Sequence, residues 1–193
     1  MGSQWGYDKT YMRAKHEGYR SRAAYKLIEI QTKFSIIRPD DNVIDLGAAP
    51  GSWLQVLRTM TQARVLGIDL NQIADLEGVE TIQGDLTDPE VQELAKSTLG
   101  IVNVVVCDAA PKLSGHHSYD QARIIELNEM ALDFAVKVLK PGGNFAIKSF
   151  QGTDFPEFYS LVKKHFYSVK TCNTRSTRKG STELYVVAKN FSD

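Results

Sequence analysis

The 193-residue chain has only two cysteines and no long apolar run, and these absences exclude several classes of protein. Two cysteines cannot supply the disulfide framework of a small secreted domain, and with four histidines they form no recognisable ligand set, so we expect no metal site. No apolar stretch approaches the roughly 20 residues that a membrane-spanning helix needs. The N-terminus lacks the apolar core of a signal peptide. We therefore expect a cytoplasmic protein with no membrane partner.

Net charge is also absent, since 23 basic residues balance 23 acidic ones, but the charges are unevenly placed. Residues 1–26 carry six lysines and arginines against two acids, and residues 163–193 carry seven against two. The middle of the chain holds ten basic and nineteen acidic residues. If the two ends meet in space, they form one basic surface, which is typical of proteins that bind nucleic acid. The alternative is that these charged residues only form solvated, exposed faces of the protein.

The length fits one domain, 1–193, at roughly 150 residues per domain, with residues 1–20 as a basic and aromatic N-terminal arm. Short apolar runs alternate with helical patterns, which favours an α/β fold with a mostly parallel sheet and helices on both faces. The pattern predicts strands at 42–46, 64–69, 80–83, 102–108 and 144–150, and a C-terminal antiparallel hairpin at 168–173 and 183–188. Helices are predicted at 21–34, 52–60, 89–97 and 119–139, and from about Asp154.

The two commonest nucleotide-binding signatures, G-x-G-x-x-G and the Walker loop, are missing. Instead, the apolar run from Val43 ends in the sequence DLGAAPGSW and opens into an amphipathic segment, which predicts a strand, a tight turn and a helix. Small residues in such a turn let a ligand approach the backbone closely. The turn resembles the S-adenosylmethionine loop of class I methyltransferases; an ordinary strand–helix turn is the alternative. Its candidate cofactor residues are Asp45, Gly47, Ala48, Ala49, Pro50, Gly51 and Trp53.

Four aspartates, Asp45, Asp69, Asp85 and Asp108, stand at or just beyond the ends of successive predicted strands. Open parallel sheets bind ligands outside the carboxyl ends of their strands, so these side chains are expected to ring one crevice. Carboxylates there suit a ligand with hydroxyls, an amine and a positive centre. We expect Asp69 to accept the ribose hydroxyls and Asp85, next to Leu86, to accept the adenine amine.

Further motifs recur in a fixed order along nearly the whole chain. They are SRAAYKL at 21–27, the cofactor loop at 45–53, QGD at 83–85, DAAP at 108–111, SG at 114–115, LKPGG at 139–143, IKSFQG at 147–152 and STELY at 181–185. With them the chain resembles the FtsJ/RrmJ family of RNA ribose 2′-O-methyltransferases. The family's Lys-Asp-Lys-Glu tetrad falls on Lys26, Asp108, Lys148 and Glu183, which are called the tetrad below. The chain departs from the family pattern in two places. Ser52 stands where relatives often have glycine, and AAPK follows Asp108 where MAPN is common. Neither departure removes a tetrad residue.

This resemblance implies a Rossmann-like class I methyltransferase domain with S-adenosyl-L-methionine as cofactor. It implies methylation of a ribose 2′-hydroxyl of RNA, with a uridine of large-subunit (23S-type) ribosomal RNA as the expected target. Methyl transfer from a sulfonium is an in-line displacement, so alignment supplies much of the rate. Lys148 is the candidate for the group beside the hydroxyl. Whether it removes the proton or only orients the hydroxyl stays open.

Basic and aromatic residues are interleaved from the N-terminal arm into the first predicted helix, a composition that suits phosphates and unpaired bases. The basic residues are Lys9, Arg13, Lys15, Arg20 and Arg22, and the aromatic ones are Trp5, Tyr7, Tyr11, Tyr19 and Tyr25. Packing against the sheet is the alternative for the aromatic rings. A second basic run comprises Lys170, Arg175, Arg178 and Lys179. The segment 112–119 has loop composition and could close over cofactor or substrate, with His116 and His117 facing solvent or substrate.

Two further functions remain open on the sequence alone. One is methylation of a ribose in a transfer RNA anticodon loop by the same scaffold. The other, from a different class, is a non-catalytic RNA-binding factor in ribosome assembly, against which the intact tetrad and cofactor loop argue. A dehydrogenase is disfavoured because G-x-G-x-x-G is absent. We expect the protein to be a monomer.

Overall fold

The computed structural model describes residues 9–111, 114–177 and 180–192. The helices are α1 (Lys9–His16), α2 (Ala24–Phe34), α3 (Ser52–Met60), α4 (Pro89–Leu99), α5 (His117–Val138) and α6 (Phe155–His165). The strands are β1 (Val43–Leu46), β2 (Val65–Asp69), β3 (Glu80–Gln83), β4 (Val102–Cys107), β5 (Leu139–Phe150), β6 (Phe166–Cys172) and β7 (Glu183–Phe191). Across these ranges no helix is both long enough and apolar enough to span a bilayer.

The strands form one seven-stranded sheet in the order β3-β2-β1-β4-β5-β7-β6. The first five are parallel, and β7 is antiparallel to both β5 and β6. The predicted mostly parallel sheet and its antiparallel C-terminal hairpin are therefore confirmed. The last strand lies inside the sheet, between β5 and β6, and this placement brings the end of the chain beside the parallel strands.

Helices cover both faces of the sheet, as predicted. On one face α4, α5 and α6 pack over a core that includes Phe134, Phe145 and Phe158. On the other face α2 and α3 cover a second core. The buried strands of the centre read as nearly continuous apolar runs because both of their faces are packed. The polar residues that follow these runs therefore stand at the edge of the sheet, where a site can form.

Several boundaries differ from the predictions by a few residues, and three differences concern whole segments or helix starts. The sequence predicted a strand from Asn144, whereas β5 begins at Leu139, pairs there with Val102, and resumes after a register shift at Asn144. The proline and glycines thus end α5 but interrupt the strand pairing only locally. Helix α2 begins at Ala24, three residues later than predicted. Helix α1 was not predicted, because Ala14 is the buried apolar residue of this otherwise polar segment and no apolar periodicity marks it.

The turn after β1 depends on Gly47. Its φ is +69°, a left-handed conformation that L side chains rarely adopt. A Cβ built there would lie 2.4 Å from the Cβ of Ala109. The turn after β1 and the segment after β4 therefore touch only because this position has no side chain, and that contact sets the floor of the site.

Candidate active site

A cleft of about 550 Å³ opens at the carboxyl ends of β1 to β4. Its lining includes three of the four aspartates, Asp69, Asp85 and Asp108, together with Leu86. The volume lies within the range of small-molecule and cofactor sites, about 300–1,000 Å³. The sequence argument from strand ends thus locates the principal cleft of the described residues.

A smaller cavity of about 100 Å³ adjoins this cleft, and the two share Gly47, Ala49 and Asp108 in their linings. The fourth aspartate, Asp45, lines the smaller cavity and not the cleft. The four acids therefore surround two adjoining cavities, and Asp108 lines both of them. Asp45 lies within β1 and not after it, so its side chain points to the α2–α3 face of the sheet below the turn.

Asp45 has a buried carboxylate without a partner. The residue is 1% exposed, and neither carboxylate oxygen has a hydrogen-bond partner. Burial raises the pKa of Asp45 well above its ordinary value, and the nearby charges of Asp108 and Asp69 raise it further. A buried acceptor of this kind is costly unless a donor reaches it.

These features fit S-adenosylmethionine. Its nucleoside would occupy the larger cleft, and the ammonium of its methionine end would satisfy the carboxylate of Asp45. Asp69 and Asp85 would accept hydrogen bonds from the ribose and the adenine. Apolar lining from Ile68 and Leu86 suits the faces of a purine.

Asp69 and Asp85 are held by different partners. The Asp69 carboxylate accepts the backbone N–H of Ala49 at 2.9 Å and that of Asn71 at 2.8 Å, so it ties the turn after β1 to the end of β2. Asp85 accepts the backbone N–H and the hydroxyl of Thr87 on one oxygen, at 2.9 and 2.8 Å. These two bonds from Thr87 lower the pKa of Asp85, which keeps its carboxylate ionised.

The rest of the loop shapes the smaller cavity, which Ala48, Pro50 and Trp53 also line. Gly51, at φ +101°, leads directly into α3. Trp53 is 2% exposed, and its indole N–H donates to the carbonyl of Ala23 at 2.8 Å. This bond fastens the loop to the beginning of α2, close to the first tetrad residue.

The tetrad assembles as two ion pairs. In the first, Lys26 Nζ lies 2.6 Å from Glu183 Oε1, and both side chains are about nine-tenths buried. Thr177 donates to the same carboxylate oxygen at 2.8 Å. Burial alone would raise the pKa of Glu183, but the hydrogen bonds from Lys26 and Thr177 and the positive charges of Lys26 and Lys148 lower it instead.

In the second pair, Lys148 Nζ donates to the carbonyl of Asp108 and lies 3.4 Å from its Oδ1. Tyr185 donates its hydroxyl to the same Oδ1 at 2.5 Å. Burial, followed by the charges of Asp108 and Glu183, raises the pKa of Tyr185 well above its ordinary value, so the hydroxyl remains a donor. Asp108 thus has one face in the cofactor cleft and the other beside the second lysine.

Sequence reasoning missed two residues that hold this arrangement. Tyr185 follows Glu183 by two positions on β7, and the period-2 rule could have placed both on one face of the strand. Asn128 is buried on α5; its amide accepts the Ser149 hydroxyl at 2.8 Å and donates to the Lys148 carbonyl at 3.1 Å. A single buried asparagine within an amphipathic helix gives no such signal in the sequence.

Part of the predicted basic and aromatic arm serves the fold. Arg20 donates to the carbonyls of Pro50, Ala74 and Asp75, so it links the cofactor loop to the segment after β2. Tyr25 is 8% exposed and donates to Glu17, and burial together with that carboxylate raises its pKa to about 12. For these two residues the structure shows packing and loop attachment.

Some predicted substrate contacts cannot be placed. Trp5 and Tyr7 in the arm, Lys112 after Asp108, and Arg178 and Lys179 in the second basic run lie outside the described residues.

In the segment after residue 113, Asp120 accepts the backbone N–H groups of Ser114 and Gly115 at 2.7 and 2.9 Å. These bonds fix this part of the segment against the beginning of α5. His116 is exposed there, as predicted.

Comparisons with known proteins identify the family of the chain. The model of a family described as FtsJ-like methyltransferase matches residues 19–191. A protein of Methanoregula boonei named ribosomal RNA large subunit methyltransferase E is 72% identical over 191 residues, with 99% of each chain covered. The protein of that name from Methanosphaerula palustris is 66% identical, with 99% of this chain and 94% of its own covered.

Solved structures share the fold. The crystal structure of a putative ribosomal RNA methyltransferase from Plasmodium falciparum has a TM-score of 0.80 at 29% identity, covering 90% of this chain and 98% of its own. A putative methyltransferase from Streptococcus mutans, solved with S-adenosylhomocysteine, has a TM-score of 0.55 at 15% identity and covers 84% and 96%. That second likeness concerns the fold alone. Because the family model spans nearly the whole chain and the relatives are this similar, the chain belongs to the FtsJ-like methyltransferase family, as its motifs predicted, and uses the cofactor of that family, S-adenosylmethionine.

Proposed function

We propose that this protein transfers a methyl group from S-adenosylmethionine to a ribose 2′-hydroxyl of RNA, with a uridine of large-subunit ribosomal RNA as the target. One observation carries the proposal: two lysines, each paired with an acid, lie beside the cofactor cleft, and one of these acids, Asp108, also lines the cleft. The names of the relatives from Methanoregula and Methanosphaerula support ribosomal RNA as the substrate. In this proposal the tetrad residues are catalytic.

The cofactor supplies an electrophilic methyl group on a sulfonium. The chain supplies alignment, since a ribose hydroxyl must lie in line with that methyl group and its leaving sulfur. Lys148, anchored by the carbonyl and carboxylate of Asp108, is the group that holds the hydroxyl; once its ammonium has lost a proton to solvent, the neutral amine accepts the proton of the hydroxyl. Tyr185 and Asn128 position this pair, one through the Asp108 carboxylate and the other through the backbone at Lys148.

The Lys26–Glu183 pair has a separate task. Because Lys26 is neutralised by Glu183, it adds hydrogen-bond donors beside the substrate hydroxyl without a large net charge. Glu183 also lies close enough to Lys148 for that lysine's charge to lower the pKa of Glu183.

Replacing Asp85 with alanine is expected to weaken S-adenosylmethionine binding about 10- to 100-fold, because one charge-assisted hydrogen bond contributes about 1.5–3 kcal/mol. Isothermal titration calorimetry measures this directly. Asp88→Ala is the matched control: Asp88 is also an exposed carboxylate, but it caps α4 and lies outside the cleft lining. Equal affinity in the Asp85 and Asp88 variants would contradict the adenine assignment. Asp69→Ala should weaken binding too, but it also releases the turn that Asp69 holds.

The substrate proposal is tested by mapping 2′-O-methylation in ribosomal and transfer RNA from cells with and without this gene. We expect one uridine of large-subunit ribosomal RNA to lose its methyl group. Loss at a transfer RNA anticodon loop would replace the ribosomal target with the transfer RNA one. Unchanged methylation in both RNAs, together with a defect in subunit assembly, would favour the non-catalytic factor.

We also propose that the protein acts as a monomer in the cytoplasm, on ribosomal RNA that is free or already within the large subunit. Support for a monomer comes from the site, because each member of the tetrad is supplied by the same chain. Sedimentation of the purified protein with and without RNA measures its assembly state.

A further inference from the structure

A second cluster of lysines lies away from the tetrad. Lys33, Lys170 and Lys189 line a cavity of about 230 Å³ together with Phe34, Ser168 and Val187. We call it the three-lysine pocket. Two of its members, Lys33 and Lys189, were not among the basic residues that the sequence singled out. They come from α2 and β7, whereas Lys170 comes from β6.

The lining of the pocket contains three lysines and no acidic residue among the described residues. Lys33 Nζ donates to the carbonyl of Asn173 at 3.0 Å, and Lys189 Nζ donates to the carbonyl of Phe34 at 3.0 Å. Both acceptors are neutral, so the bonds fix the ammonium groups without cancelling their charges. None of the ion pairs found among the described residues includes any of the three lysines.

The acid that precedes Lys33 by one helical turn is already engaged. Glu29 accepts the backbone N–H of Arg175 at 2.7 Å, and its other oxygen accepts the N–H and hydroxyl of Ser176 at 3.2 and 2.6 Å. Its carboxylate is therefore engaged by the segment after β6, and Glu29 is not part of the cavity lining. The pocket keeps three cations and the Ser168 hydroxyl as its polar groups.

The three-lysine pocket faces the same side of the sheet as the tetrad. Lys148 is paired with Tyr185 across β5 and β7, and Ser168 is paired with Lys189 across β7 and β6. Directly paired residues in antiparallel strands share a face, and alternate residues along β7 return to it. Lys189 is six residues from Glu183, which corresponds to roughly 20 Å along the strand.

Helix α2 connects the two sites. Lys26 at its beginning contacts Glu183, and Lys33 lies seven residues later, which is two turns or roughly 10 Å along the axis. A spacing of seven returns to the same side of a helix. A strand of nucleic acid with one ribose at the tetrad can therefore follow α2 to the pocket.

We propose that the three-lysine pocket is a phosphate subsite that binds a backbone phosphodiester of the RNA substrate, a few nucleotides from the methylated ribose. This inference rests on the proposed function. Lysine ammonium groups bind phosphate oxygens as point charges, and a phosphodiester supplies the anion that the pocket lacks. A backbone contact of this kind positions the RNA without reading its sequence.

The test compares two triple variants with equal changes in charge. The pocket variant is Lys33→Gln/Lys170→Gln/Lys189→Gln. The control is Lys140→Gln/Lys163→Gln/Lys164→Gln, which alters residues at the start of β5 and the end of α6, away from the pocket. Binding of unmodified large-subunit ribosomal RNA is measured between about 50 and 200 mM salt, and thermal unfolding checks that both variants fold.

Log affinity falls as log salt concentration rises, and the pocket variant is expected to make this slope less steep by about 1, the amount for one neutralised phosphate. At about 0.1 M salt this equals roughly tenfold weaker binding. The apparent KM for RNA should rise by the same factor, whereas S-adenosylmethionine affinity and the single-turnover rate at saturating RNA stay unchanged. The control variant should keep the wild-type slope.

Three results would overturn the proposal in distinguishable ways. An equal slope in the pocket variant, the control and the wild-type protein, with methylation intact, removes the subsite but leaves the function. Loss of binding to inorganic phosphate in the pocket variant, with an unchanged RNA slope, makes the pocket a site for a free phosphate. A wild-type protein that methylates no RNA and binds it without salt dependence removes the proposed function itself.

Discussion

Lys148→Ala is expected to reduce the single-turnover rate of RNA methylation by about 10²- to 10⁴-fold while leaving S-adenosylmethionine affinity nearly unchanged. The lysine contacts Asp108, which also lines the cofactor cleft, so its amine lies beside the cleft in which the proposed reaction takes place. Loss of proton transfer accounts for that factor, and misalignment of the hydroxyl adds to it. The measurement uses saturating cofactor and enzyme in excess over RNA, at an enzyme concentration above the Kd for RNA, so that binding does not limit the rate.

Two further variants serve as a control for Lys148→Ala and as a test of whether Lys148 transfers a proton or only orients the hydroxyl. Lys140→Ala changes an exposed lysine at the other end of the same strand and should keep the wild-type rate. Lys148→Arg keeps a cation and its donors but cannot be deprotonated in the assay range, so it retains the rate only if the residue merely orients the hydroxyl. A wild-type rate in Lys148→Ala would make this lysine structural and end the mechanism proposed here.

Asp45→Asn is expected to have opposite effects on stability and on cofactor binding. Without cofactor, the carboxylate of Asp45 is buried and unpartnered. An unpaired buried charge costs more than an unpaired amide, so the variant should raise the free energy of unfolding by on the order of 1–2 kcal/mol near neutral pH. With cofactor, the loss of a charged acceptor should weaken S-adenosylmethionine about 10- to 100-fold, equivalent to about 1.5–3 kcal/mol.

The raised pKa of Asp45 predicts that the stability of the cofactor-free protein falls as pH rises. Burial, with the charges of Asp108 and Asp69, raises the pKa of Asp45 in the folded protein above its unfolded value. The folded state therefore binds the proton of Asp45 more tightly than the unfolded state does. The contribution of this proton to the free energy of unfolding is fully present below the unfolded pKa and is lost as pH rises through the folded pKa. Denaturant unfolding of the cofactor-free protein across this range should show the decline, and the Asn variant should not.

Asp41→Asn is the control for this experiment. Asp41 is also a buried carboxylate, but it accepts the backbone N–H of Arg38 at 2.7 Å. Its substitution weakens a bond that already exists and should lower stability without changing cofactor affinity. If Asp45→Asn lowers stability in the same way, then the carboxylate has a partner in solution and is not reserved for a ligand.

The sequence predicted the positions of the strand ends, because each apolar run stops at a polar residue. Asp69, Asp85 and Asp108 therefore lie at the cleft as expected. Asp45 lies one residue before the end of β1, inside the predicted strand, and lines the smaller cavity that adjoins the cleft. A carboxylate inside a strand faces one side of the sheet and not its edge.

The contacts of residues that hold other residues in place could largely not be predicted from the sequence. Arg20 belongs to a basic run that resembles a phosphate-binding arm, yet it donates to three carbonyl groups of the protein. Lys33 and Lys189, which are 156 positions apart, form a pocket only because β7 lies beside α2. Backbone carbonyls as acceptors and long-range pairings leave no pattern in residue type or spacing, so neither feature could be predicted.

The position of β7 also links catalysis to completed folding. This strand supplies Glu183 and Tyr185, and it is the strand through which β6 joins the sheet. A chain emerging from the ribosome carries the residues of the five parallel strands and the cofactor loop before β7 is made, but it then lacks the acid for Lys26 and the hydroxyl for Asp108. Such a chain has no assembled tetrad, so it is unable to modify the RNA around it until the last strand is inserted.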